Sequence, residues 1–432
     1  MPRIHLTTLG CAKNQVDSDK LVSVMNASGY GTDALAEEAD IVMINTCAFI
    51  EDAREESINT ILEAERAKRP DAKLVVIGCL AQRYATELVE SLPEVDAVVG
   101  LDRYGDLVGT LDDLSGIDVE RPRGSSMDIL FETSRPTPGT PYAYVKVAEG
   151  CDKPCTFCAI PLIRGAQRSR SPINIRQEMS ELCDAGVGEI VLVAQDLAAY
   201  GRDIQAPGGI TELLEFVGDV QGLRRLRLLY LYPKEIRPGL IEAMATTSSI
   251  APYFDLSLQH ASQPLLRAMK RPGSGESFAA LIDDIRAASP TATTRSSFIV
   301  GFPGETGSQL EELADFLTAV RLDWAGFFPY SPEIGTPAAE LEGQLPKDEI
   351  VERVRYLRNI QDEITQAANT DQVGRELEVV IDGIEDGQPF GRSYREAPEI
   401  DGLISLDRGE PGDWVTVEIT GAYGTDLVGV VQ

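Results

Sequence analysis

Histidine is almost missing from this chain: His5 and His260 are the only two among 432 residues. A closed zinc site needs four nitrogen, sulfur or oxygen ligands, so it has little imidazole to draw on here. Positive charge is also scarce, with 39 Lys plus Arg against 69 Asp plus Glu and a formal net charge of -30. Nonspecific adhesion to nucleic acid or to an anionic membrane depends on clustered positive charge and is excluded as the main activity. No apolar run approaches the ~20 residues that span a bilayer. The opening Met1-Pro2-Arg3-Ile4-His5-Leu6 leads into a strand-like segment without the apolar core of a signal peptide. The expectation is a soluble, cytoplasmic protein with no membrane partner. Seven cysteines do not make a disulfide framework in an intracellular chain of this size; they read as metal ligands, catalytic thiols or buried apolar residues.

What remains is an ordinary globular composition, 43% hydrophobic and 25% charged, at a length that implies several domains. Residues 1–125 alternate short apolar runs with helical stretches, the pattern of an open parallel α/β sheet. Ile4 to Leu9, Ile41 to Ile44 and Leu74 to Ile77 read as strands, and each runs into a cysteine, Cys11, Cys47 and Cys79. All three should emerge at the carboxyl ends of parallel strands, the edge where such sheets bind ligands. Gly, Ser, Pro and Thr between about Ser115 and Pro141, including Gly124-Ser125-Ser126, mark a linker. Residues 137–369 hold six strand candidates: Tyr142 to Val147, Glu189 to Ala194, Leu226 to Leu231, Phe254 to Leu258, Ser297 to Val300 and Trp324 to Phe328. Helical patterns such as Ile173 to Ala185 and Ser308 to Leu322 lie between them, so the segment is expected to be a partial (β/α)6 barrel with its site at the strand C-termini. A helix, Lys347 to Ala368, closes it. Residues 370–432 turn to short alternating strands (Leu377 to Ile381, Gly402 to Leu406, Trp414 to Thr420), which implies a small β-barrel or sandwich.

The strongest local signal is Gly150-Cys151-Asp152-Lys153-Pro154-Cys155-Thr156-Phe157-Cys158, directly after the first strand of the second segment. Three thiolates on one short loop suit three corners of an iron-sulfur cubane. The fourth iron is then left without a protein ligand and is free to bind a substrate or cofactor. A structural zinc site is the competing reading, but no fourth ligand lies nearby in sequence.

This loop resembles the motif of radical S-adenosylmethionine (SAM) enzymes, in which three cysteines hold a 4Fe-4S cluster and SAM chelates its open iron. The whole chain resembles the methylthiotransferases, which carry an N-terminal α/β domain, a radical-SAM partial barrel and a small C-terminal TRAM domain. The matching blocks are Leu9-Gly10-Cys11-Ala12-Lys13-Asn14, Asn45-Thr46-Cys47, Gly78-Cys79-Leu80-Ala81-Gln82, the cysteine loop through Ile160 to Gly165, Phe298 to Thr306 and Tyr330 to Pro337. The resemblance implies that Cys151, Cys155 and Cys158 bind the reducing cluster and that Cys11, Cys47 and Cys79 bind a second 4Fe-4S cluster. It also implies that Phe157 belongs to the cluster loop and that Gly301 and Glu305 line the SAM site, with Gln195 and Gln259 at strand ends as further SAM partners. Two SAM molecules are implied: one gives a methyl group to a sulfur on the N-terminal cluster, and one yields a 5'-deoxyadenosyl radical that takes a hydrogen from the substrate carbon.

The family has one branch acting on tRNA adenosine and another acting on the β-carbon of an aspartate in the twelfth small-subunit ribosomal protein. Lys13-Asn14 with Val16-Asp17-Ser18, Ala194-Gln195-Asp196, Tyr230 to Pro233, Leu258-Gln259-His260 and Ala397 to Gly402 resemble the second branch, while Leu197-Ala198-Ala199 departs from its usual Thr and Ser. Charge points the same way. Residues 1–135 carry 13 basic and 25 acidic side chains, and residues 370–432 carry 4 and 14. Such surfaces repel tRNA and attract a basic ribosomal protein, so no direct tRNA binding is expected. The tRNA activity is the alternative; an iron-sulfur scaffold without SAM chemistry and a zinc-stabilised binding module follow it. Cys183 reads as a core thiol, His260 as a residue ordering the rim, and Glu51 to Glu56 as a solvated helix face. Tyr330-Ser331 reads equally as substrate-facing or as packing. Sulfur donor, electron donor, oligomeric state and domain orientation are not legible, nor is whether the substrate is the free protein or an assembling subunit.

Overall fold

The computed structural model describes residues 1–117, 127–206 and 208–432; the Gly124-Ser125-Ser126 stretch of the expected linker lies outside them. The first segment forms a parallel sheet in the order β1 (Ile4–Thr8), β2 (Ile41–Thr46), β3 (Lys73–Gly78), β4 (Ala97–Val99). Its helices are α1 (Ala12–Ala27), α2 (Glu51–Ala67), α3 (Cys79–Arg83), α4 (Ala85–Ser91) and α5 (Leu107–Ser115). Helices on both faces bury β2 completely, which is why it reads as a continuous apolar run rather than an alternating one. Ile41 to Ile44 and Leu74 to Ile77 form the core with Leu21, Met25 and Ile61. The fourth strand was not expected: Ala97–Val99 is only three residues long, too short for a periodic signal.

The second segment has all six expected parallel strands: β5 (Tyr142–Lys146), β8 (Glu189–Val193), β9 (Arg225–Leu228), β10 (Tyr253–Gln259), β11 (Thr293–Val300) and β12 (Trp324–Pro329). A two-residue hairpin, β6 (Ala148–Glu149) with β7 (Arg168–Ser169), brackets the cysteine loop, and the short helix α6 (Ile160–Arg164) lies within it. The outer helices are α7 (Pro172–Asp184), α8 (Gly209–Val217), α9 (Pro238–Thr246), α10 (Gln263–Ala268), α11 (Gly275–Ala288) and α12 (Gly307–Val320). Local sequence sets their starts. Pro172 opens α7, and the Ser274 hydroxyl accepts from the Ser277 N–H at 3.2 Å to cap α11. The sheet is split between β9 and β10, which are joined by the isolated bridges Leu226–Ile250 and Leu231–Leu256. Alternation along the strands makes two cores. Val145, Ile190, Leu192 and Leu228 face the helices, whereas Tyr144, Val191, Val193, Leu229 and Tyr253 face inward. Each fully buried side chain of this kind contributes about 1.5–3 kcal/mol.

Helix α13 (Lys347–Thr370) leads into a closed barrel of β13 (Glu376–Glu385), β14 (Gln388–Arg392), β15 (Ile404–Leu406), β17 (Asp426–Val431) and β16 (Trp414–Tyr423), in that spatial order. β14 and β17 complete hairpins that were not anticipated. In β14 the sequence Gln388-Pro389-Phe390-Gly391-Arg392 carries both a Pro and a Gly, which masks a strand. This barrel docks at the N-terminal ends of the larger barrel's strands. Glu189, the first residue of β8, accepts from Arg227 at 2.8 Å and from Arg392 at 3.0 Å. The Trp324 indole donates to Arg395 O at 2.9 Å, and Tyr142 OH donates to Glu399 at 2.8 Å. Ala397 closes the inner core alongside Val16 and Trp324, so the Ala397 to Gly402 block plugs the base of the open barrel.

Candidate active site at the strand ends

Because β1, β2 and β3 are adjacent and parallel, Cys11, Cys47 and Cys79 leave the same sheet edge. Gly78 permits the last of these exits: its φ is +94°, and a Cβ there would lie 2.3 Å from Asn45 Oδ1 and 2.6 Å from Thr46 O. Asn14 fastens the three loops together. Its amide donates to Leu9 O at 3.0 Å and to Thr46 O at 2.9 Å, and its Oδ1 faces the Cys79 thiol at 3.7 Å. Burial opposes ionisation at Cys11, but the Lys13 and Arg164 cations outweigh it and lower that thiol. Burial raises Cys47 and pushes Cys79 up to about 12.

The second trio sits at the C-terminal end of β5. Gly150, with φ +79°, turns the chain where a Cβ would lie 2.1 Å from Ala166 O. The Cys151 sulfur accepts from the Lys153 N–H at 3.5 Å, and the Cys155 sulfur accepts from Arg271 at 3.5 Å. The loop is pinned to α10 by Thr156 N to Met269 O at 3.1 Å. Burial pushes Cys151 up to about 11 and Cys158 up to about 12. Phe157 is half-buried and packs against the main barrel core. Among the described residues, no three His, Cys, Asp or Glu side chains converge closely enough to grip a single metal ion.

One element joins the two trios. After Cys158 the chain enters the N-terminal core through Ala159 and Ile163, and α6 ends at Arg164, which is 2% exposed. Its guanidinium donates to Cys79 Sγ at 3.4 Å, Asn14 Oδ1 at 2.7 Å, Asp17 at 3.1 Å and both oxygens of Glu149 at 2.9 Å. Lys146 completes the cluster against Asp17 and, at 2.6 Å, Glu149. Burial would raise the Glu149 carboxyl, but Arg164 and Lys146 overcome this and hold it far below its usual range. Sequence reasoning missed this cluster. Arg164, Asp17 and Asn14 lie inside quoted blocks, yet nothing in sequence shows that they meet.

Around the rim, the Gln195 amide donates to Glu149 at 2.7 Å while its Oε1 is buried without a partner. Gln259 ends β10 with φ +75°. Glu305 accepts from Gly301 N at 2.9 Å and from Arg353 at 2.7 Å, and the His260 ring lies 3.6 Å away. This carboxylate thus fastens its own turn, and fully buried His260 orders the rim by accepting the Ser262 N–H at 2.9 Å. Tyr330 packs edge-on against Phe302, centroids 5.5 Å apart, and Ser331 Oγ accepts the Glu51 N–H at 3.1 Å. Glu51 also meets Lys347 at 2.7 Å, and Arg54 meets Glu333, so the Glu51 to Glu56 run is partly an interface with the barrel. Cys183 is buried in the main core, as expected of a packing thiol.

The arrangement fits thiolate-bound clusters. Each trio has N–H donors aimed at sulfur, from Arg164 on one side and from Arg271 and Lys153 on the other, the second-shell pattern that stabilises anionic sulfur. Gln195 Oε1 and Ser262 Oγ, buried without a protein partner, lie past the strand ends and are open to a polar cofactor or to water.

Fold and site together define a radical SAM enzyme. Residues 145–317 match the radical SAM superfamily, residues 3–100 the uncharacterized protein family UPF0004, and residues 373–431 the TRAM domain. The fold is shared with the radical S-adenosylmethionine methyltransferase TsrM from Kitasatospora setae at TM-score 0.56 and 16% identity, over 78% of this chain and 77% of that one. Ribosomal protein uS12 methylthiotransferase RimO of Moorella thermoacetica is 44% identical over 100% of both chains, and that of Saccharopolyspora erythraea is 41% identical over 99% of this chain and 94% of its own. The chain belongs to the RimO family of uS12 methylthiotransferases. Among the described residues, no helix is long and apolar enough to cross a membrane.

Proposed function

We propose that this protein adds a methylthio group to the β-carbon of an aspartate in ribosomal protein uS12, using two 4Fe-4S clusters and two SAM molecules. Cys151, Cys155 and Cys158 hold the cluster that binds SAM; Cys11, Cys47 and Cys79 hold the other. The observation that carries the reading is the Arg164 junction, in which the loop bearing one trio donates to a thiol of the other at 3.4 Å. Both trios thereby address one mouth.

When bound, clusters and SAM would supply the radical abstraction, the methyl group and a holding place for the sulfur, chemistry beyond any side-chain base at an unactivated C–H bond. The chain's own residues position and exclude. Arg164 and Asn14 hold the N-terminal trio against the barrel. Arg271 neutralises charge at Cys155, and its guanidinium lies 4.3 Å from the Tyr232 ring centroid. Gln195 presents an unsatisfied acceptor to the cofactor, while the Glu305–Arg353 pair keeps the Gly301 turn rigid. Phe302 and Tyr330 wall the mouth against water. The C-terminal barrel, docked at the opposite ends of the strands, offers an acidic outer surface to a basic substrate protein.

The acidic surfaces favour a basic ribosomal protein over tRNA. The test is anaerobic turnover of purified uS12 and, in parallel, of small ribosomal subunits with SAM, reductant and sulfide, followed by mass spectrometry of uS12 peptides. A methylthio adduct on one aspartate is expected in at least one of the two; uS12 unmodified in both contradicts the reading.

A further inference from the structure

Three lysines are at least nine-tenths buried among the described residues: Lys13, Lys20 and Lys146. Lys20 ends on Glu178 at 2.8 Å, and Lys146 on Asp17 and Glu149. Lys13, 8% exposed, makes neither a hydrogen bond nor an ion pair; its ammonium lies 3.8 Å from the centroid of the Tyr230 ring. The nearby carboxylates Asp17 and Glu149 are both engaged by Arg164 and Lys146. An aromatic face offsets only part of what burying an unpaired cation costs. The ammonium acts on the neighbouring Cys11 thiol through charge but makes no hydrogen bond to it, so its N–H groups are open to an anion that arrives from outside.

Its position suits one anion. Lys13 lies in the first turn of α1, two residues after Cys11. Tyr230 lies just past β9 at the barrel mouth, its φ at +64° and its N–H held by Asp255 at 2.9 Å. Lys13 therefore stands between the N-terminal trio and the barrel mouth, and a transfer from one cluster domain to a carbon held at the other brings the reacting aspartate between them. The carboxylate of that aspartate is one bond from the carbon that reacts.

We propose that Lys13, braced by the Tyr230 ring, is the residue that binds the carboxylate of the target aspartate and so fixes both its β-carbon and the choice of an acidic side chain. This rests on the uS12 reading. The ammonium keeps its ring contact and adds a charge-assisted hydrogen bond, with no covalent change. An asparagine in the same place leaves the cation unpaired, so discrimination of about 100-fold in kcat/KM is expected.

The test uses the intact, cluster-loaded enzyme and fluorescently labelled uS12, with either the target aspartate or asparagine in its place. Binding is read by anisotropy and methylthio transfer by mass spectrometry. The wild type is expected to bind the aspartate form at least about tenfold more tightly. Lys13→Met and Lys13→Gln should bind both forms equally, while Lys13→Arg restores the preference. Lys13→Met replaces a buried cation by an apolar chain of similar length, and Lys13→Gln keeps a polar group; iron content and circular dichroism report folding for each. If uS12 is modified but these variants keep the wild-type preference, the Lys13 assignment is overturned and the uS12 reading stands. If the wild type labels tRNA and leaves uS12 unmodified, both fall.

Discussion

Arg164→Leu is the substitution that most directly tests the junction between the cysteine trios. Arg164 donates to two carboxylates, an amide oxygen and a thiol, all buried. Removing it leaves Asp17 and Glu149 with Lys146 alone, an uncompensated negative charge whose expected cost is about 3–5 kcal/mol. Glu149→Gln on its own also breaks the cluster, since it leaves two cations facing Asp17. In the double variant the lost charges cancel, so the two losses should fall short of additivity by about 2 kcal/mol. Arg164→Lys keeps the charge but not the fork that reaches both carboxylates and Cys79, and it should recover only part of the loss. The assay is urea unfolding of the cluster-loaded protein, following the transition that includes the N-terminal sheet and β5. A loss below about 1 kcal/mol for Arg164→Leu, or strict additivity with Glu149→Gln, refutes the reasoning.

Further outcomes follow from the same geometry. Cys155→Ala should abolish reductive SAM cleavage, measured as 5'-deoxyadenosine release, whereas Cys47→Ala should retain cleavage and stop methylthio transfer; transfer by the Cys47 variant would contradict the division of labour. Cys183→Ala should cost about 1 kcal/mol, as a small core truncation, and leave iron content and turnover unchanged. Glu189 is raised by burial, but Arg392, Arg227 and Arg225 overcome this and lower its pKa from 4.5 to about 2. A depressed carboxyl contributes stability above its unfolded value and loses it as pH falls towards the folded one, so about 3 kcal/mol should disappear between about pH 4.5 and 2. Glu189→Gln should flatten that part of the stability–pH curve and loosen the C-terminal barrel, which acid titration with limited proteolysis detects.

The sequence was legible wherever a pattern is local. Each N-terminal cysteine follows a short strand-like run, fully buried before Cys47 and only partly buried before Cys11, and the cysteine loop follows β5 closely, so both trios and the sheet edges carrying them could be read from spacing. The six barrel strands were visible as runs such as Glu189 to Ala194, of which Glu189–Val193 form the strand. Short or interrupted strands were not: Ala97–Val99 lacks length, and Gln388–Arg392 carries Pro and Gly. Residues whose meaning is long-range were also hidden. Arg164 and Lys146 look like ordinary surface cations in sequence, because nothing local reveals that Asp17, more than a hundred residues away, faces them across the junction. For the same reason Arg54 read as part of a solvated face although it meets Glu333. Ala397 to Gly402 was recognisable only by resemblance, and its physical role, plugging the barrel base, required the fold.

The most direct test of the proposed activity is a competition. Cluster-loaded enzyme, reductant, sulfide and methyl-labelled SAM are offered small ribosomal subunits and tRNA together under anaerobic conditions, and the label is followed into each fraction. Label on an aspartate of one basic ribosomal protein is the predicted result. Label in tRNA would contradict it and would mean that a local basic patch outweighs the net charge of -30.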